Sequence, residues 1–111
     1  MDCIFCKIAA GEIPSKLIYE DELCLAFHDI SPMAKVHALV IPKAHHDSLQ
    51  KAADDPALLG HLLRVCAIVA ETLGLADGYR VVTNVGENGG QTVAHLHFHV
   101  LGGEKLSEKL A

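Results

Sequence analysis

The sequence predicts a mixed helix-and-sheet fold in one compact domain. Its 111 residues, half of them hydrophobic, suit a single core, since a chain of this size buries roughly 60–70% of its unfolded surface. One long stretch has the apolar spacing of a helix, and several short stretches have the apolar or alternating patterns of strands. The helical stretch is 55–73, and the strand-like stretches are 17–20, 23–28, 36–42, 79–85 and 95–100. We assign residues 1–111 to this domain, with 104–111 as a charged C-terminal tail.

The first part of the chain predicts a short helix followed by three strands. Apolar residues within 4–9 suit a short amphipathic helix that Gly11 ends. Residues 17–20 and 23–28 flank an Asp-Glu pair, which is typical of a hairpin or meander. The mostly apolar run 36–42, closed by a proline, predicts a central strand.

The long helix has signals at both ends. Asp55 can cap its first turn, Pro56 fits the first helical position, and Gly74 is a natural stop. The helix should cover one face of the sheet, with His61 and Arg64 on its solvent side and without a function. Its predicted apolar face consists of Leu58, Leu59, Leu62, Leu63, Cys66, Val69, Ala70 and Leu73.

Composition excludes several classes of partner. A net charge of −5 argues against a nucleic-acid backbone, which requires basic clusters. No stretch approaches the ~20 apolar residues that span a bilayer, so no membrane partner is expected. The N-terminal segment carries an acidic residue, Asp2, and no basic run precedes an apolar segment, which argues against a secretory signal. We therefore expect a cytoplasmic protein whose four cysteines are thiols or metal ligands.

Residues 95–100 alternate three histidines with three apolar residues. On a strand, His95, His97 and His99 would share one face and the apolar residues the other. On a helix, the same histidines would splay around the axis. A polar sheet face exposed to solvent is the alternative, but such faces usually draw on Thr, Lys, Glu and Gln. The pattern therefore indicates a functional site.

Three chemistries suit three neighbouring imidazoles. They could hold a metal with an open position for water, one could attack phosphorus, or together they could bind an anion without chemistry. Glycines in the loop 86–92 can approach a phosphate, and Asp29 can accept two sugar hydroxyls, although an ordinary hairpin loop and a turn residue are the alternatives. These surroundings favour a nucleotide. His97 has the most imidazole neighbours, which disfavour a further positive charge, so it is the predicted nucleophile.

Two more features could contribute to a site. Cys3 and Cys6 have the spacing found in many zinc sites, but the pair is only half a site and could equally be two core cysteines. His45 and His46 follow the central strand, where either could be surface sequence or complete a metal site. His37 interrupts that strand and would be a hydrogen-bonded core residue unless the strand lies beside the triple-histidine strand.

The alternating histidines resemble the histidine triad motif, and the similarity extends along the chain. Four other stretches resemble the Hint branch, the histidine triad nucleotide-binding proteins, and the match covers residues 3–103 in order. The stretches are 27–32 (FHDISP), 37–43 (HALVIPK), 89–92 (GGQT) and 100–103 (VLGG).

The resemblance implies an α+β fold: a five-stranded antiparallel sheet with one long and one short helix, dimerising into a ten-stranded sheet. It implies hydrolysis of the P–N bond of purine nucleoside 5′-phosphoramidates, such as an AMP amide or AMP-lysine, through a nucleotidyl-histidine intermediate. A nucleotide-binding or signalling module with incidental turnover and a dinucleoside polyphosphate hydrolase stay open. So does a metalloenzyme that uses the three histidines directly.

The resemblance also implies residue roles. His97 would be the nucleophile, His99 would bind the phosphoryl oxygens, His37 and His95 would complete the network, and Asp29 would hold the ribose. Asn84, Gly90, Gln91 and Thr92 would contact the phosphate and leaving group, and the base pocket would be lined by Phe5, Ile8, Ile13, Phe27, Ile30 and Leu39.

Family members with the cysteine pair are similar to zinc proteins whose other ligands match His45 and His95. The resemblance therefore implies a structural Zn²⁺ held by Cys3, Cys6, His45 and His95, while the chemistry itself needs no cofactor. The tail 104–111 lacks the Trp-Pro-Pro-like ending of animal members, so the leaving group stays open.

Overall fold

The computed structural model describes residues 3–110. It contains one five-stranded antiparallel sheet with the strand order β1-β2-β3-β5-β4. This confirms the predicted α+β fold with one long and one short helix. The elements are α1 (Ile4–Ala9), β1 (Leu17–Glu20), β2 (Cys24–His28), β3 (Val36–Pro42), a 3₁₀ turn (Gln50–Ala52), α2 (Pro56–Thr72), β4 (Tyr79–Val82) and β5 (Phe98–Gly102).

The central position of β3 decides which side chains meet. In the register of the sheet, Phe27 of β2, Leu39 of β3 and His99 of β5 lie side by side. Because side chains alternate along a strand, His37 shares this face with Leu39. His37 therefore lies beside the strand that carries His99, which is the arrangement under which a role beyond core packing was expected.

The opposite face of the sheet packs against α2. Asp55 accepts a hydrogen bond from the backbone N–H of Leu58, which confirms the predicted cap. The helix ends before Gly74, whose φ of 74° requires a left-handed backbone. Leu62 and Val65 are fully buried against the sheet, and each contributes about 1.5–3 kcal/mol of apolar burial. The sheet side of this core contains Ala26, Ala38, Val40, Leu96, Phe98 and Val100.

One position of the predicted helix face is wrong. Leu63 is 50% exposed, whereas Val65, which the spacing did not select, is fully buried. The reason is geometric, since Leu62, Val65 and Val69 follow the 3–4 spacing of one stripe and Leu63 lies about 100° beside it.

Two strand boundaries also differ from the prediction. Residues 95–97 precede β5 without joining the ladder. The register would place Leu96 opposite Pro42, which lacks an N–H to donate. The backbone N–H of Leu96 instead donates to the carbonyl of His46 at 2.6 Å. Similarly, β4 ends at Val82, and Thr83 turns its hydroxyl to the carbonyl of His97 at 2.8 Å.

A polar contact ties α2 to the first hairpin. His61 donates from Nε2 to Asp21 Oδ2 at 2.6 Å, and Tyr19 donates its hydroxyl to the same oxygen at 2.7 Å. Burial alone would raise the pKa of Asp21, but these bonds and two backbone N–H donors lower it. His61, which was given no function, thus has a structural contact.

The tail folds back on its own chain as far as the structure describes it. Arg80 donates from Nη2 to the carbonyl of Ser107. Glu104 accepts the backbone N–H of Lys35 at 2.7 Å, which fastens the loop between β2 and β3. Within residues 3–110, no helix is both long enough and apolar enough to cross a bilayer.

Candidate active site and metal centre

The sheet face opposite α2 carries two polar clusters around a small apolar core. Phe5 of α1 contacts Phe27 edge-on at a ring-centroid distance of 5.8 Å. The same ring meets the imidazoles of His97 at 5.1 Å and His95 at 5.9 Å. The α1 helix therefore packs against His95 and His97 and covers them on one side.

His97 has one ring nitrogen whose role is fixed. Its Nδ1 lies 2.6 Å from the carbonyl oxygen of His95. A carbonyl can only accept, so Nδ1 carries the proton and the neutral ring presents a lone pair at Nε2. His97 is buried, so its orientation is held by packing as well as by this bond. The lone pair at Nε2 is what a nucleophile requires.

His37 and His99 form a hydrogen-bonded pair beside His97. The backbone N–H of Met33 donates to His37 Nδ1 at 3.0 Å, so the proton of neutral His37 lies on Nε2. That nitrogen lies 2.9 Å from His99 Nδ1, which must accept, so neutral His99 carries its proton on Nε2. The rings of His97 and His99 are 5.0 Å apart.

Both members of this pair are held neutral. Burial lowers the pKa of His37, which the nearby Asp29 carboxylate opposes. Burial, followed by the imidazoles of His97 and His37, lowers the pKa of His99 to about 4. At neutral pH the pair can therefore hold and pass protons without carrying a fixed charge.

Asp29 stands at the end of β2 with two contacts. Its Oδ1 accepts the backbone N–H of Ser31 at 2.8 Å, which is the turn that the sequence offered as an alternative. Its Oδ2 lies 3.4 Å from Nε2 of His37. The carboxylate thus borders the histidines while it holds its own turn. We refer to Asp29, His37, His97 and His99 as the reactive cluster.

The glycine-rich loop 86–92 is braced by its own amides. Asn84 donates to the carbonyl of Gly89 at 2.8 Å, and Gln91 Oε1 accepts the N–H of Gly86 at 2.9 Å. Gln91 Nε2 donates to the carbonyls of Asp47 at 2.6 Å and Val93 at 2.9 Å. A Cβ at Gly89 would lie 2.3 Å from a backbone oxygen, so only glycine fits there.

The remaining predicted binding residues differ in how far they are buried. Gly90, with φ of 77°, and Thr92 are exposed in the loop. Phe5, Phe27 and Leu39 are buried in one cluster with Ile8 packed against it. Ile8 and Ile13 line a cavity of about 310 Å³ between α1 and the first hairpin, whereas Ile30 is 94% exposed.

Cys3, Cys6, His45 and His95 meet on the other side of Phe5. We refer to these four residues as the metal cluster, since one ligand atom from each lies within 4.8 Å of all the others. Cys3 Sγ lies 3.2 Å from His95 Nδ1, and Cys6 Sγ lies 3.2 Å from His45 Nδ1. The two Nδ1 atoms are 3.2 Å apart. Tetrahedral Zn²⁺ with these ligands needs edges of about 3.3–3.8 Å between donor atoms, so the donors lie close to the spacing that the ion requires.

The outer nitrogens of the same rings support this fit. His95 donates from Nε2 to the carbonyl of Pro42 at 2.8 Å, and His45 donates from Nε2 to the carboxylate of Asp47 at 2.7 Å. Each neutral ring therefore turns an unprotonated Nδ1 inward, as a metal requires. The backbone N–H of Cys6 donates to Cys3 Sγ at 3.3 Å, which orients that sulfur.

Sequence reasoning missed the outer partners of both clusters. Asp47, two residues after a candidate ligand, was a detectable signal, because carboxylates commonly orient metal-binding histidines. The backbone groups of Pro42 and Met33 carry no sequence signal of their own. His46, the other candidate after β3, lies outside the metal cluster.

Comparison with known proteins agrees with this architecture. The sequence profile of the HIT domain matches residues 10–106. A HIT-like protein of Synechococcus elongatus is 54% identical over 107 residues, which are 96% of this chain and 94% of that protein. Protein HitA of Neisseria gonorrhoeae is 48% identical over 102 residues, which are 91% of this chain and 95% of HitA.

Solved structures extend the agreement to the coordinates. A histidine triad protein from Clostridium difficile superposes with a TM-score of 0.94 at 48% identity, covering 98% of this chain and 96% of that one. A HIT family hydrolase from Clostridium thermocellum gives 0.94 at 44% identity, with 99% and 97% covered. The profile match, the sequence relatives and the shared fold together show that this chain belongs to the HIT domain family.

Proposed function

We propose that the chain is a Hint-type hydrolase that cleaves the P–N bond of purine nucleoside 5′-phosphoramidates. The observation that carries the proposal is the ring of His97, whose proton is held on Nδ1 by a carbonyl so that Nε2 is available. Its neighbours, two neutral histidines and a carboxylate, suit a nucleotide better than they suit a bare anion. A hydrolase from Clostridium thermocellum shares the fold, which supports hydrolytic chemistry.

The proposed reaction has two steps. Nε2 of His97 attacks phosphorus, the P–N bond breaks, and the amine leaves after taking up one proton from solvent, which the attacking water returns in the second step. Water then attacks the phosphorus of the nucleotidyl-histidine, which releases the nucleoside monophosphate and restores His97. The Nε2–H of His99 would bind a phosphoryl oxygen as charge develops there, and His37 and His95 would hold the network in place.

The remaining binding residues would act around this centre. Asp29 would accept the ribose hydroxyls with the lone pairs that its turn leaves available. Gly90 and Thr92 would border the phosphate and leaving group, while Asn84 and Gln91 would hold the loop. Apolar side chains would pack on the purine: Phe5, Ile8, Ile13, Phe27, Ile30 and Leu39.

We propose that the chain acts as one domain, residues 1–111, in a homodimer with a ten-stranded sheet. The edge strand β4 is one candidate for the junction, because its backbone has a partner strand on one side only and Tyr79 and Val81 are 42% and 36% exposed. The test is molar mass by light scattering, with Val81→Glu expected to give a monomer and Glu71→Gln, on the α2 surface, expected to leave the dimer unchanged.

We also propose that the metal cluster holds one structural Zn²⁺. The support is the donor set of two thiols and two inward-facing Nδ1 atoms. When bound, the ion would link α1 to the segments around His45 and His95, and none of the chemical steps requires it. Thiol ligands of this kind persist in a reducing compartment, which supports a cytoplasmic location.

The deciding experiment is hydrolysis of an adenosine 5′-phosphoramidate by the wild type and by His97→Ala. Equal rates would overturn the proposed mechanism. Tight AMP binding without turnover of any phosphoramidate would favour a binding module, and faster cleavage of a dinucleoside polyphosphate would favour that substrate class. A second arm adds a chelator. Turnover that is abolished and that zinc restores, while the fold and the ring tautomer of His97 are both unchanged, would favour direct metal catalysis.

A further inference from the structure

We propose that the metal cluster positions the nucleophile, with His95 and Asp47 as positioning residues, so that metal loading sets the ring orientation of His97. This inference rests on the proposed function in that it takes His97 as the nucleophile and Zn²⁺ as the occupant. Three separate contacts run from the metal cluster toward His97: one to its ring nitrogen, one to the face of its ring, and one to the backbone of Leu96 beside it and to the glycine-rich loop. Each starts at a different ligand-bearing segment.

The first contact passes through His95 itself. Its ring points Nδ1 into the metal cluster, and its carbonyl accepts the Nδ1–H of His97. The side chain of His95 is fully buried and its Nε2 is tied to Pro42, so the residue has little freedom when a metal holds its other nitrogen. The same residue therefore serves as ligand to the metal and as acceptor for the nucleophile.

The second contact passes through α1. Phe5 lies between the two cysteine ligands in sequence, and its ring packs edge-on against His97. A helix of six residues is too short to be stable alone, because isolated helices below about 12 residues are marginal in water. Metal ligation by Cys3 and Cys6 would fasten this helix, and with it the wall beside His97.

The third contact passes through the segment that follows β3. The N–H of Leu96 donates to the carbonyl of His46 at 2.6 Å, between the ligand His45 and its partner Asp47. The carbonyl of Asp47 accepts Gln91 Nε2 at 2.6 Å, which braces the glycine-rich loop. Fixing His45 thus holds both the backbone beside His97 and the loop proposed for the phosphate.

Loss of the ion should release all three contacts together. Two sulfur atoms and two nitrogen lone pairs would then face one another without the charge that holds them. His97 would keep its place in the chain but would sample both ring tautomers, since its acceptor is no longer fixed. We expect kcat to fall with the population of the Nδ1–H tautomer.

The experiment uses the full chain with ¹⁵N-labelled histidine, first loaded with Zn²⁺ and then stripped with a chelator. Metal content gives the stoichiometry, ring ¹⁵N shifts give the tautomer of His97, and amide exchange is followed at Leu96 and, as a reference, at Leu62 of α2. We expect one Zn²⁺ per chain, a single Nδ1–H tautomer when loaded, and about ten-fold or more faster exchange at Leu96 alone after stripping.

Two variants separate positioning from general destabilisation. Asp47→Asn weakens the orientation of His45 without removing a ligand, and should shift the tautomer signal of His97 at subsaturating zinc. The matched control is His61→Gln, which also removes a histidine–carboxylate contact but lies outside both clusters. It should leave the His97 signal and the Leu96 exchange unchanged.

The outcomes are separable. If zinc binds and its removal changes neither His97 nor Leu96, the coupling is wrong while the metal site stands. If no zinc binds, both the coupling and the metal proposal fall. Equal phosphoramidate turnover by wild type and His97→Ala would instead overturn the hydrolase, and neither the tautomer nor the exchange measurement depends on that result.

Discussion

The metal cluster and the reactive cluster lie on one sheet face and share one short stretch of chain, yet their hydrogen bonds orient the imidazole rings differently. In the metal cluster, the outer ring nitrogens of His45 and His95 donate to fixed acceptors, so the inner nitrogens converge on one point. In the reactive cluster, His37 and His99 bond to each other, and His97 is left with one nitrogen directed elsewhere.

The difference shows how identical side chains are given different chemistry. Convergent lone pairs bind a cation, whereas a single lone pair beside two neutral rings suits attack on phosphorus. Neither outcome depends on the histidine itself, because the partners that decide it are backbone carbonyls, a carboxylate, the backbone N–H of Met33 and a neighbouring imidazole. His95 belongs to both arrangements, through its ring and its backbone respectively.

The largest effect should come from the reactive cluster. His97→Ala should lower kcat/KM for an adenosine phosphoramidate by about 10⁴-fold or more, because it removes the only proposed nucleophile. That loss corresponds to about 5 kcal/mol of transition-state stabilisation. Steady-state kinetics beside His61→Gln, which should remain active, would check it. A loss below about ten-fold would contradict a covalent role.

The second-largest effect should come from removal of the metal, which should lower the stability of the fold. Stripping Zn²⁺, or Cys6→Ser, should lower the free energy of unfolding by about 3 kcal/mol and Tm by about 10 °C, because α1 loses its anchor. Calorimetry with metal analysis gives both numbers. Cys66→Ala, a buried thiol outside the metal cluster, should also lower Tm but retain the ion. Retention of zinc by Cys6→Ser would contradict the ligand assignment.

Substitution of Asp29 should have a smaller effect, on nucleotide binding and not on catalysis or stability. Asp29→Asn should raise KM for the nucleotide about ten-fold with little change in kcat, because an amide replaces one acceptor for the ribose hydroxyls. The exposed Asp54→Asn serves as the comparison. An unaltered KM would restrict Asp29 to the turn that it makes with Ser31.

The smallest predicted effect concerns pH. The pKa of His99 is lowered to about 4 by burial and by the neighbouring imidazoles, so the unfolded chain binds more protons between about pH 6.5 and 4. The contribution of His99 to the free energy of unfolding is therefore complete above pH 6.5 and is lost as the pH falls toward 4. After allowance for solvent screening, we expect about 1 kcal/mol.

Urea midpoints from pH 7.5 to 4.5 would measure this slope, with His99→Gln as the comparison because it keeps the metal cluster. The variant should have the shallower slope. Asp21 does not affect the slope in this pH range. Hydrogen bonds lower its pKa, so its contribution to the free energy of unfolding is lost only below about pH 4. Identical slopes for both proteins would show that His99 is not held neutral by the fold.

Local signals predicted the fold well, and long-range contacts limited the rest. Asp55 and Gly74 marked the ends of α2 because capping depends on a few adjacent residues. Leu63 was placed in the core because spacing alone cannot choose between neighbouring stripes. Residues 95–97 have the pattern of a strand, but the register would place Leu96 opposite Pro42, which cannot donate to the ladder. Gln91 was predicted to contact the phosphate and leaving group. Its side chain also donates to the carbonyl of Asp47, and a partner that is far away in the sequence leaves no local signal.

The two cysteines buried between α2 and the sheet, Cys66 on the helix and Cys24 on β2, differ sharply in reactivity from the cysteines of the metal cluster. Burial raises the pKa of Cys24 and of Cys66 to about 12, so at pH 8 only about one in ten thousand of either is thiolate. An alkylating reagent applied to the native protein would therefore spare them. With the proposed Zn²⁺ bound, label would accumulate only on Cys3 and Cys6, at a rate set by how often that ion leaves. Peptide mass spectrometry of the labelled protein would then follow metal exchange in a crude extract.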